Sequence, residues 1–461
     1  MRYLIGLVLV GALIVGGLFM YAGGLPGPTI EIVKPTKYVG QTGTVEVTLT
    51  SPKAKYVGNF HIFFEQNGKQ TPLVSFDKPE TAEIKPDGPD RVRITRTFTR
   101  DTIPDLKSGP ARILVDAERP VLFGFRKTKS TASRDVQVRL EKPMIAVLST
   151  KHYINLGGSE MVVYRATPAD VESGVQVGDL VYPGYPASGA KLEGVNITDP
   201  AVKLAFIALR YDQDVNTPMF AYAKDEAGNA ARAEFDRMTF PKPFKKSRIE
   251  LDDTFLNRVI PAILETTTEV APQGDMLQKF LAVNGDLRRK NAEKIASFAK
   301  QSAPAILWGG AVFHPFTNTA VEAAFADQRT YVYQGKDVDR QTHLGFDLAR
   351  VVHSPVLAAN GGKVMYAAPL GIYGNCVILD HGMGVQSLYG HLSSFSVKAG
   401  DTVQKEQELG KSGMTGMAGG DHLHFTMLVN GQPVNPVEWW DTKWMQDRVF
   451  RKIAEAGGTV P

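Results

Sequence analysis

The sequence predicts a mainly β chain, built from several modules behind one membrane-spanning helix. Period-two apolar patterns recur over residues 29–243, and apolar residues at helical spacing follow over 250–303. At 461 residues the chain is too long for one ordinary domain. Its hydrophobic fraction of 43% and charged fraction of 22% are normal for a folded chain. We therefore expect an all-β framework interrupted by one helical segment.

Residues 1–23 form the predicted transmembrane anchor. The stretch 3–22 carries no charge, and as a helix it can cross a hydrocarbon core of about 30 Å. Arg2 lies on one flank and the next charged residue is Glu31, which favours a cytoplasmic N-terminus. A cleaved signal peptide is the alternative, but the run is long and MYA (20–22) fits a cleavage site poorly. We expect a single-pass inner-membrane protein with its bulk in the periplasm.

Two β-sandwich, immunoglobulin-like modules are predicted next, over 29–142 and 143–243. In the first, TVEVTLT (44–50) and RVRITRT (91–97) alternate as strands with one polar face. In the second, the phrase AKDEAGN (223–229) is similar to the terminal hairpin of bacterial immunoglobulin-like modules. Neither module shows a catalytic cluster. Both are expected to serve as spacers or as binding surfaces for an envelope protein partner.

The period becomes helical in the predicted connector, 250–303. Apolar residues at helical spacing begin at Phe255, behind two possible N-caps, Asp252 and Asp253. Pro261 is expected to kink this first helix. An Asn-Gly pair at 284–285 predicts a turn that divides the later apolar stripes. These stripes are interpreted as packing surfaces.

The net charge and the cysteine content exclude some kinds of site and partner for this chain. A net charge of +4 suits an anionic polymer such as cell wall, and no basic run indicates a nucleic-acid partner. The single cysteine, Cys376, excludes an intramolecular disulfide and a cysteine-based zinc cluster. It precedes the apolar run VIL (377–379) and is interpreted as a small buried hydrophobic residue.

Histidines cluster between positions 343 and 424, a stretch that holds six of the nine in the chain. These six are His343, His353, His381, His391, His422 and His424. HLGFD (343–347) separates an imidazole from a carboxylate by four residues. In HLH (422–424) the two imidazoles point to the same face if the segment is a strand. Two histidines and one carboxylate, with one position left open, are a common ligand set of catalytic zinc.

These phrases resemble the lysostaphin-type (LytM-like) zinc metalloendopeptidases, over about 308–440. Landmarks of that family occur here in order and at plausible spacing. They are HLGFD (343–347), a turn-rich stretch (358–362), GN (374–375) before the strand 377–379, DHGMG (380–384), YGHL (389–392), VKAGDTV (397–403), GMTG (413–416) and HLHF (422–425). The resemblance implies a largely antiparallel β peptidase domain over 304–445.

The resemblance also assigns roles to five residues. His343, Asp347 and His424 would hold one zinc ion, and His391 and His422 would be the catalytic histidines without a metal bond. The implied substrate is a peptidoglycan peptide, cut either between D-alanine and a diamino acid or between glycines. One of the two catalytic histidines would accept a proton and the other would donate to the developing oxyanion, in either order.

Other residues near the landmarks receive structural interpretations. Asp421 stands where the family commonly has a proline, and its charge is expected to raise the pKa of His422. His381, in an Asp-His-Gly turn, is expected to make structural hydrogen bonds. His353 and His314 are assigned to the surface or to packing.

Three alternatives differ in class. A non-catalytic envelope regulator or amidase activator could use the same fold, but here all three ligand positions and both further histidines are retained. The phrase 397–413 resembles a lipoyl or biotinyl carrier, yet no lysine is suitably placed at a hairpin tip. A latent enzyme with upstream domains over its groove would gain activity when shortened to Trp308.

Overall fold

The computed structural model describes residues 2–51, 58–78, 81–191, 195–309 and 312–457. It divides into two compact units, formed by 1–143 with 224–231 and by 144–223 with 232–461. Strands dominate both units, and an apolar helix precedes them. The predicted mainly β fold class is therefore confirmed.

The first unit consists of a helix followed by two β-sheets. Helix α1 (Arg2–Gly23) contains the stretch Ile5–Gly23, which is long and apolar enough to cross a membrane. The strands are β1 (Thr29–Lys34), β2 (Tyr38–Val39), β3 (Thr42–Thr50), β4 (Asn59–Gln66), β5 (Lys69–Ser75), β6 (Glu83–Pro86), β7 (Arg91–Thr99), β8 (Gly109–Val121) and β9 (Arg126–Val138). The sheet orders are β1-β3-β7-β6 and β2-β9-β8-β4-β5. Alternate residues such as Val47, Ile62 and Ile113 form their common core.

The second unit begins with three further sheets. Their strands are β10 (Met144–Val147), β11 (His152–Asn155), β12 (Ser159–Thr167), β13 (Glu172–Val177), β14 (Leu180–Pro183), β15 (Tyr185–Pro186), β16 (Val202–Ala208), β17 (Met219–Lys224), β18 (Ala230–Ala233) and β19 (Arg237–Phe240). They are arranged as β10-β12-β16-β15, β14-β13-β17-β18 and the parallel pair β11-β19.

A helical segment follows strand β20 (Lys246–Leu251). It contains α2 (Asp253–Thr266), α3 (Met276–Ala282), a π-helical turn (Val283–Leu287) and α4 (Arg288–Phe298). As predicted, the Asp252 carboxylate caps α2 by accepting from the Phe255 amide at 2.7 Å.

The turn predicted at 284–285 is wrong, because the helix continues through it. Asn284 is buried, and its amide donates to the Asp339 carboxylate at 2.8 Å. Arg288 donates in turn to the Asn284 side-chain oxygen at 2.6 Å. The long-range bond to Asp339 and the local bond from Arg288 override the turn preference and hold the pair within a π-helical turn.

The last domain is built on an antiparallel eight-stranded sheet. The remaining strands are β21 (Ala320–Ala323), β22 (Asp327–Tyr333), β23 (Lys336–His343), β24 (Phe346–Ala349), β25 (Pro355–Leu357), β26 (Gly362–Pro369), β27 (Asn375–Gly382), β28 (Val385–Leu392), β29 (Ser394–Phe395), β30 (Thr402–Val403), β31 (Glu408–Lys411), β32 (Leu423–Val429) and β33 (Gln432–Val434). The main sheet has the order β21-β24-β32-β28-β27-β26-β30, with β33 paired to β32. Two smaller sheets, β20-β22-β23 and β25-β31-β29, flank it. The chain closes with α5 (Pro436–Trp440), α6 (Thr442–Met445), a π-helical turn (Gln446–Phe450) and α7 (Arg451–Ala456).

Buried charged groups join the closing helices to strand β12 of the same unit. The Glu438 carboxylate accepts from the Ser159 amide at 2.8 Å. Lys452 and Glu160 form a buried ion pair at 2.8 Å. Removing one partner of such a pair costs about 3–5 kcal/mol. A chain shortened to Trp308 would lose both partners, so it is not a neutral comparison for the latent-enzyme hypothesis.

Candidate active site

All five predicted site residues line one cleft of about 490 Å³ in the last domain. The strand register brings them together. Asp347 on β24 lies directly opposite His424 on β32, and His424 lies opposite Gly390 on β28. His343 ends β23, His391 lies near the end of β28, and His422 directly precedes β32. Residues up to 81 positions apart thus meet at one place.

The turn between β23 and β24 requires a glycine. A Cβ atom at Gly345 would lie only 2.6 Å from the ring of His424 and from the hydroxyl oxygen of Thr426. Any side chain there would displace His424 from its place beside His343. This contact is a physical reason for glycine in the middle of the His-x-Gly-x-Asp phrase.

Three potential ligand atoms converge on one point at the cleft floor. His343 Nε2 lies 2.9 Å from Asp347 Oδ1 and 3.0 Å from His424 Nδ1. His424 Nδ1 lies 3.0 Å from the same carboxylate oxygen. All three side chains are buried. Among the described residues, this is the group of histidine and acidic side chains close enough to hold a metal ion.

The hydrogen bonds behind these residues fix which nitrogens carry protons. His343 Nδ1 lies 3.2 Å from the Ala324 carbonyl oxygen, which can only accept, so the lone pair is on Nε2. The Thr426 hydroxyl donates to the Leu344 carbonyl at 2.9 Å, and therefore accepts from His424 Nε2 at 3.1 Å. The His424 lone pair is then on Nδ1. Two nitrogen lone pairs and a carboxylate oxygen face one another, a donor set that a divalent cation satisfies.

The charge states suit metal binding as well. Burial favours a raised pKa for Asp347, but its close contacts with His343, His422 and His424 outweigh burial and hold that pKa well below its ordinary value. Burial lowers the pKa of His424 to about 4. An ionised carboxylate and a neutral imidazole are the forms in which these groups bind metals.

His391 and His422 occupy the open side of the cleft. Each Nδ1 donates to a carbonyl oxygen, of Thr415 at 2.7 Å and of Gly420 at 2.9 Å, which leaves each Nε2 for other contacts. The two rings are 4.8 Å apart. His391 has a positive φ of 63°, a conformation that non-glycine residues seldom adopt and that is concentrated at functional sites.

The two open-side histidines differ in proton affinity. Burial lowers the pKa of His391 well below its ordinary value, and the neighbouring histidines add to the effect. Burial also acts to lower the pKa of His422, but the hydrogen bond and charge of Asp347 outweigh it and raise that pKa. His422 Nε2 lies 3.5 Å from Asp347 Oδ1.

The effect predicted for Asp421 is wrong in its cause. The Asp421 carboxylate accepts from the Ser412 hydroxyl at 2.6 Å and from the His353 amide at 3.2 Å. It therefore anchors the segment before His422, and the raised pKa of His422 comes from Asp347 instead.

Arg329 is a site residue that the sequence did not reveal. Its guanidinium donates to Asp347 Oδ2 at 3.1 Å and lies 3.4 Å from an Asp327 carboxylate oxygen. It therefore holds the carboxylate oxygen that does not face the histidines. Arg329 lies on β22, and its proximity to Asp347 depends on the pairing of Asp327 with His343 across β22 and β23. No short motif encodes that pairing.

The remaining predicted residues have structural surroundings. His381 is fully buried, with Nδ1 2.7 Å from the Gly361 carbonyl and Nε2 2.7 Å from the Ser387 hydroxyl, as expected of a structural histidine. His353 is largely exposed, and His314 stacks on Trp440. Cys376 is buried, and burial raises its pKa, as expected of an unreactive thiol.

The helical segment forms part of the cleft rim. Arg258 on α2 donates to the Ala418 carbonyl at 2.9 Å. Arg288 on α4 lines the cleft and lies 3.7 Å from the Met417 sulfur. The loop before His422 is therefore held by the helices.

Residues 341–436 match the model of Peptidase family M23. Similar proteins include DD-carboxypeptidase/endopeptidase Mpg of Neisseria meningitidis, 43% identical over 21% of this chain and 22% of that protein. Peptidoglycan DD-endopeptidase ShyA of Vibrio cholerae is 38% identical over 21% of this chain and 22% of its own length. The chain thus spans about a fifth of the length of these relatives. A putative peptidase M23 from Pseudomonas aeruginosa is 17% identical, with a TM-score of 0.38 over 62% of this chain and 93% of that one.

The resemblance predicted from the motifs is confirmed, because the segment that carries them matches the model of Peptidase family M23.

Proposed function

We propose that the chain is a zinc endopeptidase that hydrolyses peptide cross-links of peptidoglycan. One observation carries the proposal: three buried lone-pair donors converge at His343, Asp347 and His424, and two further histidines face the same cleft. The peptidoglycan substrate is supported by ShyA, which is named a peptidoglycan DD-endopeptidase, and by Mpg, which is named a DD-carboxypeptidase/endopeptidase.

His343, Asp347 and His424 would hold the ion. Two imidazoles and one carboxylate are a common protein ligand set of catalytic zinc, and they leave a fourth position open. Zinc, when bound, supplies a Lewis acid that polarises a carbonyl group and acidifies water. Arg329 would orient the ligand carboxylate through its second oxygen.

The two open-side histidines divide the proton transfers. His391 stays neutral because burial lowers its pKa, so its Nε2 can accept a proton from the attacking water. His422 holds a proton more readily because it lies beside Asp347, so its Nε2 can donate to the oxyanion that develops on the scissile carbonyl. The backbone carbonyls of Thr415 and Gly420 keep both rings oriented.

The organisation along the chain is part of the proposal. We assign the anchor to 1–23, β modules to 29–142 and 143–243, the helical connector to 250–303 and the peptidase domain to 304–445. The apolar helix α1 supports single-pass insertion in the inner membrane, with the bulk in the periplasm. The β modules would bind an envelope partner or set the reach of the domain.

Digestion of purified sacculi tests the activity. With zinc supplied, the wild-type chain should convert cross-linked muropeptides to monomers, identified by mass, which also shows the bond that is cut. His391→Ala should abolish this conversion. His353→Ala, which changes an exposed histidine, is the matched control and should retain it. Intact cross-links after wild-type treatment would contradict the proposal.

A non-catalytic regulator gives a different pattern in the same assay. It would leave sacculi intact alone, yet increase the release of material by an added amidase, and it would do so equally in His391→Ala. The retention of all five site residues favours the enzyme.

A further inference from the structure

The turn between β8 and β9 carries two phenylalanines with little protein around them. The side chain of Phe123 is 101% exposed and that of Phe125 is 82% exposed. They stand at the tip of a hairpin whose two strands are each 13 residues long. Neighbouring exposed aromatic side chains are unfavourable in water, and such patches mark surfaces that another body covers.

Contacts between the hairpin and helix α1 show which way the tip points. Arg119 donates to the carbonyl oxygen of Pro26, just beyond the helix end, at 2.8 Å, and the Thr128 hydroxyl lies 3.5 Å from it. Nearer the tip, the Arg126 guanidinium donates to the Phe19 carbonyl and lies 4.5 Å from the centre of the Phe19 ring. Residues closer to the tip therefore contact positions of α1 that lie deeper inside the helix, farther from its end at Gly23.

This direction places the tip beside the apolar part of α1. Phe19 lies four residues inside the helix end at Gly23, which is about 6 Å along the axis. It belongs to the stretch that can cross a membrane, Ile5–Gly23. Phe125 and Phe123 lie closer to the tip than Arg126, whereas Thr128 lies farther from it. A bilayer around α1 would therefore reach both phenylalanines.

The residues on either side of the tip carry a positive net charge, which is complementary to an anionic lipid surface. Residues 117–130 hold four basic side chains and one acidic one. The acidic one, Glu118, pairs with Lys129 at 2.7 Å and with Lys127 at 3.4 Å, which leaves a net positive base to the hairpin. Aromatic residues at the tip and basic residues just behind them are typical of segments that enter the headgroup region of a membrane.

We infer that the β8–β9 turn is a second membrane contact. Phe123 and Phe125 insert into the leaflet at which α1 ends, and the basic side chains behind them bind anionic lipid headgroups. Together, α1 and the turn fix the orientation of the first unit on the membrane, whereas α1 alone would allow the unit to rotate. The inference does not depend on the chemistry of the cleft.

Depth-dependent fluorescence quenching in the full chain tests this. The chain is reconstituted in vesicles of phosphatidylethanolamine and phosphatidylglycerol, with or without acyl-chain bromination. Phe123→Trp and Phe125→Trp place the probe at the tip. Gln70→Trp is the matched control, since Gln70 is exposed and lies level with Arg112 across the sheet, about 35 Å from the tip. The four native tryptophans lie within 308–444, and the wild type supplies their background.

The expected result is a tip probe that emits at shorter wavelength than the control and loses fluorescence to brominated lipid. The Gln70→Trp probe should be unaffected by bromination. Tip probes at both positions that behave like the control would overturn the inference. That outcome would mean that the two phenylalanines stay exposed to water or bind a protein partner.

Discussion

Five buried histidines of the last domain form two sets, one structural and one in the cleft, and the sets differ in how their ring nitrogens are used. In the structural set, His381 has a protein partner for both nitrogens, the Gly361 carbonyl and the Ser387 hydroxyl. In the cleft set, each ring donates from one nitrogen to a carbonyl or hydroxyl oxygen and presents the other to the cleft. The cleft set comprises His343, His391, His422 and His424.

Because of this difference, the structural histidine should contribute mainly to stability, and the cleft histidines mainly to function. Buried polar groups are normally paired, since an unpaired one costs about 1–3 kcal/mol. The structural set meets that requirement within the protein. The cleft set leaves a place for a cation and a substrate. Substitutions in the two sets should therefore affect different measurements.

The largest expected effect is the loss of bound metal in Asp347→Ala. This change removes the carboxylate that faces both ligand histidines, so zinc binding and sacculus digestion should both be abolished. Elemental analysis of the purified protein, alongside digestion, measures the two. The variant should still unfold in one cooperative urea transition, which separates loss of metal from loss of fold. A variant with one bound zinc per chain would remove Asp347 from the ligand set.

The second effect is a loss of rate without loss of metal in His391→Ala. Removing one acid–base group typically lowers a rate by about 10²–10⁴-fold. Release of monomeric muropeptides, followed over time at saturating zinc, measures it. His353→Ala should digest at the wild-type rate. Equal rates for His391→Ala and the wild type would place proton transfer elsewhere.

His381→Ala should show the opposite pattern, with stability lost and metal kept. The change leaves a cavity and deprives two buried groups of their partner, at a cost of about 3–5 kcal/mol. Urea unfolding, followed by the fluorescence of the domain, measures the loss. Zinc content of the folded fraction should stay at the wild-type value. A variant that kept its stability but lost zinc would contradict the division into two sets.

Acid should destabilise the fold through His381. Burial lowers its pKa to about 4, whereas the unfolded chain retains the ordinary value near 6.5. Between these values the unfolded state binds a proton that the folded state does not, so stability falls as the pH falls from 6.5 to 4. The loss is about 3 kcal/mol from this group. His381→Gln should make the pH dependence of unfolding shallower in that window, and an unchanged slope would refute the assignment.

The smallest expected effect lies at Arg329, which touches a ligand without facing the ion. Arg329→Met should weaken zinc binding by about 10–100-fold, the usual cost of losing a group that orients a metal ligand. Competition with a chelator of known affinity measures the change. Arg329→Lys keeps the charge and should lose less affinity. Wild-type affinity in the methionine variant would show that Asp347 needs no such support.

Sequence reasoning found the cleft residues because their evidence is local. In HLGFD (343–347) and HLH (422–424) the residues are only a few positions apart, so they stay close together in the folded chain. Both phrases lie at strand ends. Arg329 was missed because its role depends on the pairing of two strands. The error at Asn284 has the same origin, since a buried bond to Asp339 overrides the local turn preference.

The hairpin at the membrane-facing tip shows a similar limit. The sequence patterns predict strands in this module, but they do not define the long hairpin of β8 (Gly109–Val121) and β9 (Arg126–Val138). The position of its tip follows from contacts with α1, which join residues about 100 positions apart in the chain. Composition and period carry no record of such contacts.

Anomalous scattering at the zinc edge, from a crystal of the zinc-loaded chain, tests the central claim most directly. The account predicts one peak at the cleft floor, about 2 Å from His343 Nε2, Asp347 Oδ1 and His424 Nδ1. It also predicts that no protein nitrogen of His391 or His422 is bonded to the ion. A zinc-loaded crystal without a peak at that place, or with the peak bonded to other side chains, would contradict it.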